Sequence, residues 1–213
     1  MSSRQYVIPT KRMTLSDEKD YRFGALATGV VRAFAKNIGE WDPRELGSQP
    51  ATADAQIAQV KNYIASTGLI PKSLDVRMWR NVDDAVTAVD QWRTAALAAV
   101  GTEYSALQAV AAAPAASRAT KLVVWHKVSI DQAALNISRV IFRRTNATGI
   151  LMAQFDVEEL AMQEVMQGYF SEPVVWDPNL PYALNVLCRI ATGLFDRVIV
   201  GGFVFEPAGQ TNA

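Results

Sequence analysis

The sequence has very little of the residue types that usually build metal sites and nucleophilic catalysis. Among 213 residues there is one cysteine, Cys188, and one histidine, His126. One thiol excludes a disulfide within the chain, and a zinc site needs several histidine or cysteine ligands at close spacing. Cys188 lies in an apolar run and is predicted to be a buried hydrophobic side chain. His126 lies in a strand-like run on the face opposite Trp125, where a structural role is expected.

The sequence also lacks a charge excess and a long apolar run. Lys and Arg together number 21, and so do Asp and Glu. A general nucleic-acid binder carries a basic excess, so nucleic acid is not expected to be the main partner. No stretch reaches about 18 apolar residues without charge, so no membrane-spanning helix is expected. Residues 1–10 have no apolar core of a signal peptide, which predicts synthesis and folding in a cytoplasm.

Complete motifs for cofactor or nucleotide chemistry are missing as well. The segment from Gly24 to Gly29 has the outer glycines of a phosphate-binding loop, but the Lys and Ser/Thr that should follow are absent. Neither a nucleophile elbow nor a dinucleotide-binding fingerprint occurs. We therefore expect no catalytic residues, no cofactor and no metal. An enzymatic function, as a hydrolase that uses Asp156 and Glu159, is the third alternative after a structural and a ligand-binding function.

Two groups of charged residues have both a functional and a structural interpretation. The acidic group could hold a calcium ion or supply the two carboxylates of a glycosidase, but the first turn of a short helix explains it more simply. The basic group could form a binding face. The aromatic residues that single-strand binders interleave are sparse there, which favours a solvated face or a subunit contact. The acidic group comprises Asp156, Glu158, Glu159 and Glu164, and the basic group comprises Arg139, Arg143, Arg144 and Arg197.

The first half of the chain predicts helices. Residues 1–16 are interpreted as an N-terminal arm with a short apolar run, and residues 17–113 as a helical region. Capping residues and apolar residues at helical spacing define the helices. An alanine-rich segment then forms a linker. The predicted helices run from Ser16 to about Asn37, from Ala53 to Ser66 and from Val82 to Ala112.

The second half predicts strands. Residues 120–207 are interpreted as an antiparallel β-sandwich, with a jelly-roll-like arrangement as one form of it, and residues 208–213 as a polar tail. Residues 145–149 predict a hairpin turn, and Gly201–Gly202 predicts a bulge or a close backbone approach. The fold class is therefore α+β, a helical N-terminal half followed by a β-sandwich. The predicted strands are 122–127 with a continuation to 132, 137–144, 150–156, 174–176, 182–191 and 197–206, with a short helix over 157–166.

Five apolar and aromatic residues are the predicted interface or ligand contacts. Trp79 and Trp176 lie beside predicted loops, where an indole ring can stack on a sugar or anchor a partner. Tyr182 lies at the start of a predicted strand. Tyr6 and Ile8 lie in the arm, which could pair as an edge strand or lie on a neighbouring subunit.

The pattern as a whole predicts a protein that works by binding and assembly. The first interpretation is a non-enzymatic structural subunit of a large particle, such as the capsid, decoration or tail protein of a virion. Its partners would be copies of itself and neighbouring structural proteins. Its location would be the virion after synthesis in the host cytoplasm, with the cytoplasm itself as the alternative. The alternative function is a carbohydrate- or receptor-binding β-sandwich module used in attachment, with a glycan as partner.

Overall fold

The computed structural model describes residues 6–7, 15–36, 38–79, 97–105, 115–116, 120–130, 136–145, 148–162, 167–178, 180–192 and 198–210. The helices in these ranges are α1 (Leu15–Ala35), α2 (Pro43–Leu46), α3 (Ala53–Thr67) and α4 (Val157–Met162). The strands are β1 (Tyr6–Val7), β2 (Leu74–Met78), β3 (Glu103–Ser105), β4 (Ala115–Ala116), β5 (Leu122–Ile130), β6 (Ile137–Arg144), β7 (Ile150–Asp156), β8 (Gln167–Trp176), β9 (Pro181–Cys188) and β10 (Val198–Pro207).

The strands form two antiparallel sheets. Sheet I has the order β1-β8-β5-β10-β2, and sheet II has the order β3-β9-β6-β7, with β4 also paired to β9. One large core of buried side chains is shared by the two sheets. The predicted α+β class with a β-sandwich-like core is therefore confirmed.

Strand β5 shows how the sequence specifies these layers. Val123 and Trp125 point into the core between the sheets, while Leu122 and Val124 belong to a second core on the other side of sheet I. Successive side chains of a strand point to opposite faces, and here both faces are buried. This explains why the strand is a continuous apolar run instead of an alternating one. The register of β5 with β8 shifts between Trp125 and Lys127.

The second core lies under the helices. Helix α1 contributes Val30, Ala33 and Phe34, which pack with Leu122, Val124 and Phe205 of sheet I. Helix α3 packs through Val60 and Ile64 in the same core. The molecule in its described part is thus a three-layer arrangement of helices, sheet I and sheet II.

Local signals in the sequence correctly predicted several elements. The second predicted helix corresponds to α3, which begins after the N-cap Thr52 and ends at Gly68 in the left-handed conformation with φ 63°. The predicted hairpin is β6 paired with β7. The predicted irregularity in the last strand is a register shift between Gly201 and Gly202, where a Cβ on Gly202 would lie 2.6 Å from the ring of Trp125.

The predicted long helix from Val82 to Ala112 is wrong in the part that the structure describes, residues 97–105. Residues 97–105 contain a turn and strand β3, with Tyr104 packed against the core between the sheets. The rest of that prediction, residues 82–96 and 106–112, lies outside the described residues. Strand β2 was also not predicted, and it pairs with β10 far along the chain. In place of the expected helical half, the described residues form three helices up to Thr67, followed by strands that belong to both sheets.

Candidate functional site

Three of the predicted contact residues meet in one aromatic row between the sheets. Trp79 packs on Trp125 with ring centroids 4.9 Å apart, and Trp125 meets Trp176 edge-on at 5.1 Å. Trp176 then stacks on Tyr182 at 5.1 Å with an interplanar angle of 6°. Trp125 and Trp176 belong to sheet I and Tyr182 to sheet II, so the row joins the two sheets.

The rings in this row offer little surface to a ligand. Trp176 is 5% exposed and Tyr182 is 2% exposed, and Trp79 is partly buried. The Tyr182 hydroxyl accepts a hydrogen bond of 2.7 Å from the backbone N–H of Asp177. Burial is the main cause that raises the pKa of Tyr182 above its usual value of 10.0. Their role as contact residues stays a prediction, and their burial favours a structural one.

Of the two predicted contacts in the arm, Tyr6 lies within the described residues and the other does not. Tyr6 lies in β1, opposite Phe170 of β8, so the arm adds a short strand to the edge of sheet I. Ile8 lies outside the described residues.

His126 is placed where its sequence position predicted, on the face of β5 opposite Trp125. The side chain is fully buried and stacks on Phe203 with ring centroids 4.7 Å apart and an angle of 16°. Tyr169 is a further ring neighbour, at 6.5 Å. Phe203 belongs to the core under the helices. These aromatic contacts give His126 a packing role. Cys188 is likewise buried, in the core between the sheets, as predicted.

The acidic group is engaged at the start of α4. Asp156 accepts a hydrogen bond of 3.0 Å from the backbone N–H of Glu159, as a residue that caps a helix does. Arg139 lies 3.5 Å from Asp156, and Arg189 lies 3.0 Å from Glu158. Glu164 is outside the described residues. Within the described ranges, no group of three or more His, Cys, Asp or Glu side chains could hold a metal ion. The geometry supports the structural interpretation of this group.

The basic group contributes to a polar cluster on sheet II that the sequence did not reveal. Arg143 holds Glu103 through two hydrogen bonds, from Nε at 2.9 Å and from Nη2 at 2.5 Å. Asn185 donates a third bond of 2.9 Å to the same carboxylate. The hydrogen bond from Arg143 is the main cause that lowers the pKa of Glu103, and the same contact raises the pKa of Arg143. Glu103 was missed because its segment was interpreted as helix.

A second ionic cluster ties three strand segments together at one end of sheet I. Glu206 is fully buried, and its carboxylate lies 2.9 Å from Arg77 Nε and 3.4 Å from Lys121 Nζ. Val204 points into the core between the sheets, so strand alternation places Glu206 on the same side. A buried carboxylate held by two cations is a structural unit, because the carboxylate alone would be costly to bury.

An open pocket lies on the helical side of the molecule, with a volume of about 400 Å³. Phe34 and Trp41 form part of its wall and meet edge-on at 6.0 Å. The indole N–H of Trp41 donates to the carbonyl of Gly47 at 2.9 Å, so it is already satisfied. The remaining lining residues are Ile38, Gly39, Glu40, Gln49 and Pro207.

Four of the exposed apolar side chains form two pairs of sequence neighbours. Leu69 and Ile70 follow α3 and are 62% and 37% exposed. Ile150 and Leu151 begin β7 and are 60% and 37% exposed. Single exposed apolar residues are ordinary on protein surfaces, but grouped ones mark contact sites.

No helix in the part of the chain that the structure describes is both long and apolar enough to cross a membrane.

Comparison with known proteins gives one distant similarity. No family model matches the chain, and no curated protein matches it. Among solved structures, the chain is similar to the crystal structure of the infectious bursal disease virus VP2 subviral particle, with 9% sequence identity and a TM-score of 0.24. The similarity covers 65% of this chain and 34% of that chain, so it extends over about a third of the solved protein.

Proposed function

We propose that this chain is a non-enzymatic structural subunit of a large particle, as a capsid, decoration or tail protein of a virion. Its partners are copies of itself and neighbouring structural proteins of the particle. It is made in the host cytoplasm and located in the virion.

The pairing order of the strands carries this proposal. Without the two-residue strands β1 and β4, eight of the described strands remain, and the first four pair with the last four in reverse order. The pairs are β2 with β10, β3 with β9, β5 with β8, and β6 with β7. A chain whose first and second halves pair antiparallel, with the strands divided between two facing sheets, is a jelly roll. This architecture recurs in viral capsid and lectin domains.

Fold does not define function. The exposure or burial of the aromatic rings must therefore distinguish a capsid-like subunit from a lectin-like module. A lectin-like module needs exposed aromatic rings on a concave face, and the attachment alternative predicted Trp176 or Tyr182 for that role. Both rings are buried between the sheets. This burial favours the structural subunit over the glycan-binding module. A glycan-array signal that Trp176→Ala abolishes, with the fold intact, would reverse that preference.

The exposed apolar pairs support a protein that associates. Leu69 with Ile70 lies beside the helical layer, and Ile150 with Leu151 lies on sheet II. A structural subunit needs several contact sites on different sides, because each copy touches more than one neighbour.

The test is the native mass of the purified protein. A structural subunit is expected to form a defined oligomer or closed particle through interfaces that bury more than about 1,000 Å² each. A monodisperse monomer at high concentration, with and without the neighbouring structural proteins, would contradict the proposal.

A further inference from the structure

We infer that the open pocket at the end of α1 binds a basic side chain, a lysine or arginine that a protein partner presents. Three features of the pocket support this: its apolar floor, its fixed aromatic wall and the charge at its rim. This binding site goes beyond the proposed structural role and does not depend on it.

The size and the floor of the pocket are those of a ligand site. Its volume of about 400 Å³ is typical of such sites, which are lined mostly by apolar and aromatic side chains with a few polar groups. Phe34 and Ile38 are buried side chains of the core under the helices, and Pro207 at the end of β10 adds a further apolar surface. This floor suits a hydrocarbon chain.

The aromatic wall is held in one position by contacts within the chain. The ring of Trp41 meets Phe34 edge-on at 6.0 Å, and its indole N–H donates to the carbonyl of Gly47 at 2.9 Å. The backbone at Gly39 also lies close to the Phe34 ring, because a Cβ there would be 2.9 Å from a ring carbon. A wall that is already ordered loses little side-chain freedom when a ligand binds.

The polar groups of the pocket lie at its rim. Glu40 and Gln49 are both exposed, and Glu40 carries the only charge among the lining residues that the structure describes. A carboxylate attracts a cation and repels a phosphate or carboxylate ligand. The indole of Trp41 adds to this preference, since indole attracts cations more strongly than the other aromatic rings do.

A basic side chain matches this division between floor and rim. Lysine and arginine have apolar stems that cover apolar surface while the charged head stays near water. The stem would lie along Phe34 and Trp41, and the head would reach Glu40. A sugar would instead place hydroxyl groups against Ile38 and Pro207, whose side chains offer no hydrogen bond.

The experiment compares two probes that differ in charge. One is N-acetyl-lysine-N-methylamide, and the other is its norleucine analogue, which keeps the four-carbon stem and lacks the ammonium group. Saturation-transfer NMR reads the signals of the probe, so the full chain can be used in its native assembly state. The lysine probe should bind about fivefold more tightly than the norleucine probe, as expected for one exposed ion pair.

Three variants locate the site. Glu40→Gln should keep the fold, because Glu40 is exposed, and should reduce the affinity of the lysine probe to that of the norleucine probe. Glu158→Gln is the matched control, a partly exposed glutamate on α4 that should leave both affinities unchanged. Trp41→Phe makes the wall smaller and should weaken the binding of both probes.

Four results would overturn the inference. They are equal affinities of the two probes for the wild-type protein, a lysine affinity that Glu40→Gln leaves unchanged, tighter binding of glucose than of the lysine probe, and no saturation transfer to either probe. Each of them concerns this pocket alone. The native mass of the protein tests the proposed structural role separately, so the two failures are distinguishable.

Discussion

Glu206 is a residue at which removal of one charge is expected to lower the free energy of unfolding strongly. Its carboxylate is fully buried against Arg77 and Lys121. Glu206→Gln keeps the shape but removes the buried negative charge beside Arg77 and Lys121, so the free energy of unfolding should fall by about 3 to 5 kcal/mol. Urea denaturation followed by tryptophan fluorescence, at fixed protein concentration, measures the change.

An exposed ion pair gives the control for this prediction. Glu158 and Arg189 also form an ion pair at 3.0 Å, but their side chains are 38% and 42% exposed. Glu158→Gln should change stability by no more than about 1 kcal/mol, because water screens the pair. Equal losses in the two variants would mean that the burial of Glu206 has no energetic consequence.

Glu103 should contribute to the acid sensitivity of the protein. Its folded-state pKa lies below the ordinary value of 4.5, chiefly because Arg143 donates hydrogen bonds to the carboxylate. A depressed pKa stabilises the fold at pH values above the unfolded pKa, and this contribution is lost as the pH falls through the folded pKa.

The variant Glu103→Gln isolates that contribution. Wild type should be more stable than the variant near neutral pH, and the difference should shrink as the pH falls below about 4.5. Unfolding free energies measured as a function of pH, with Arg143→Gln as the partner variant, give the comparison. A difference that is independent of pH would contradict the assigned role of the pair.

At the scale of elements, two glycines on helix α1 report how the helix contacts sheet I. A Cβ on Gly29 would overlap the ring of Phe205, whereas a Cβ on Gly24 would meet nothing within 4 Å. Gly29→Ala should therefore lower the free energy of unfolding by about 1 to 3 kcal/mol through overpacking. Gly24→Ala should raise it by about 0.5 to 1 kcal/mol, since alanine favours the helix. Thermal unfolding of both variants measures the two changes in stability, which should have opposite signs. Changes of the same sign would show that α1 does not pack on β10 in this way.

Elements with local signals were predictable, and elements defined by distant partners were not. Helix α3 has Thr52 at its start and Gly68 at its end, and the β6–β7 hairpin has turn residues between its strands. Strand β3, in contrast, is three residues long and pairs with residues 185–187, which lie 80 to 84 positions away. Nothing within the β3 segment itself distinguishes it from the apolar spacing of a helix.

The candidate site was only partly predictable for the same reason. The sequence identified Trp79, Trp176 and Tyr182 as notable residues, but the predicted loops beside Trp79 and Trp176 suggested exposure. The pairing of β5 with β8 and the facing of the two sheets bring these rings together around Trp125. Burial of this kind depends on contacts between chain segments far apart in sequence, which local patterns do not encode.

At the scale of the whole molecule, consecutive strands do not always share a sheet. Strands β9 and β10 follow each other in the sequence, but β9 lies in sheet II and β10 lies in sheet I. The chain therefore crosses between sheets, and the reverse pairing of early and late strands results. This arrangement buries a large core between the sheets and leaves two apolar pairs exposed.

The native mass of the protein tests the structural role most directly. Mass photometry and light scattering of the full chain should find a defined multiple of the 23.3 kDa monomer that grows with concentration into a closed oligomer or particle. Imaging of the same sample should show repeated, symmetric contacts between copies. A single species of 23.3 kDa at every concentration, with or without its neighbouring structural proteins, would contradict the account.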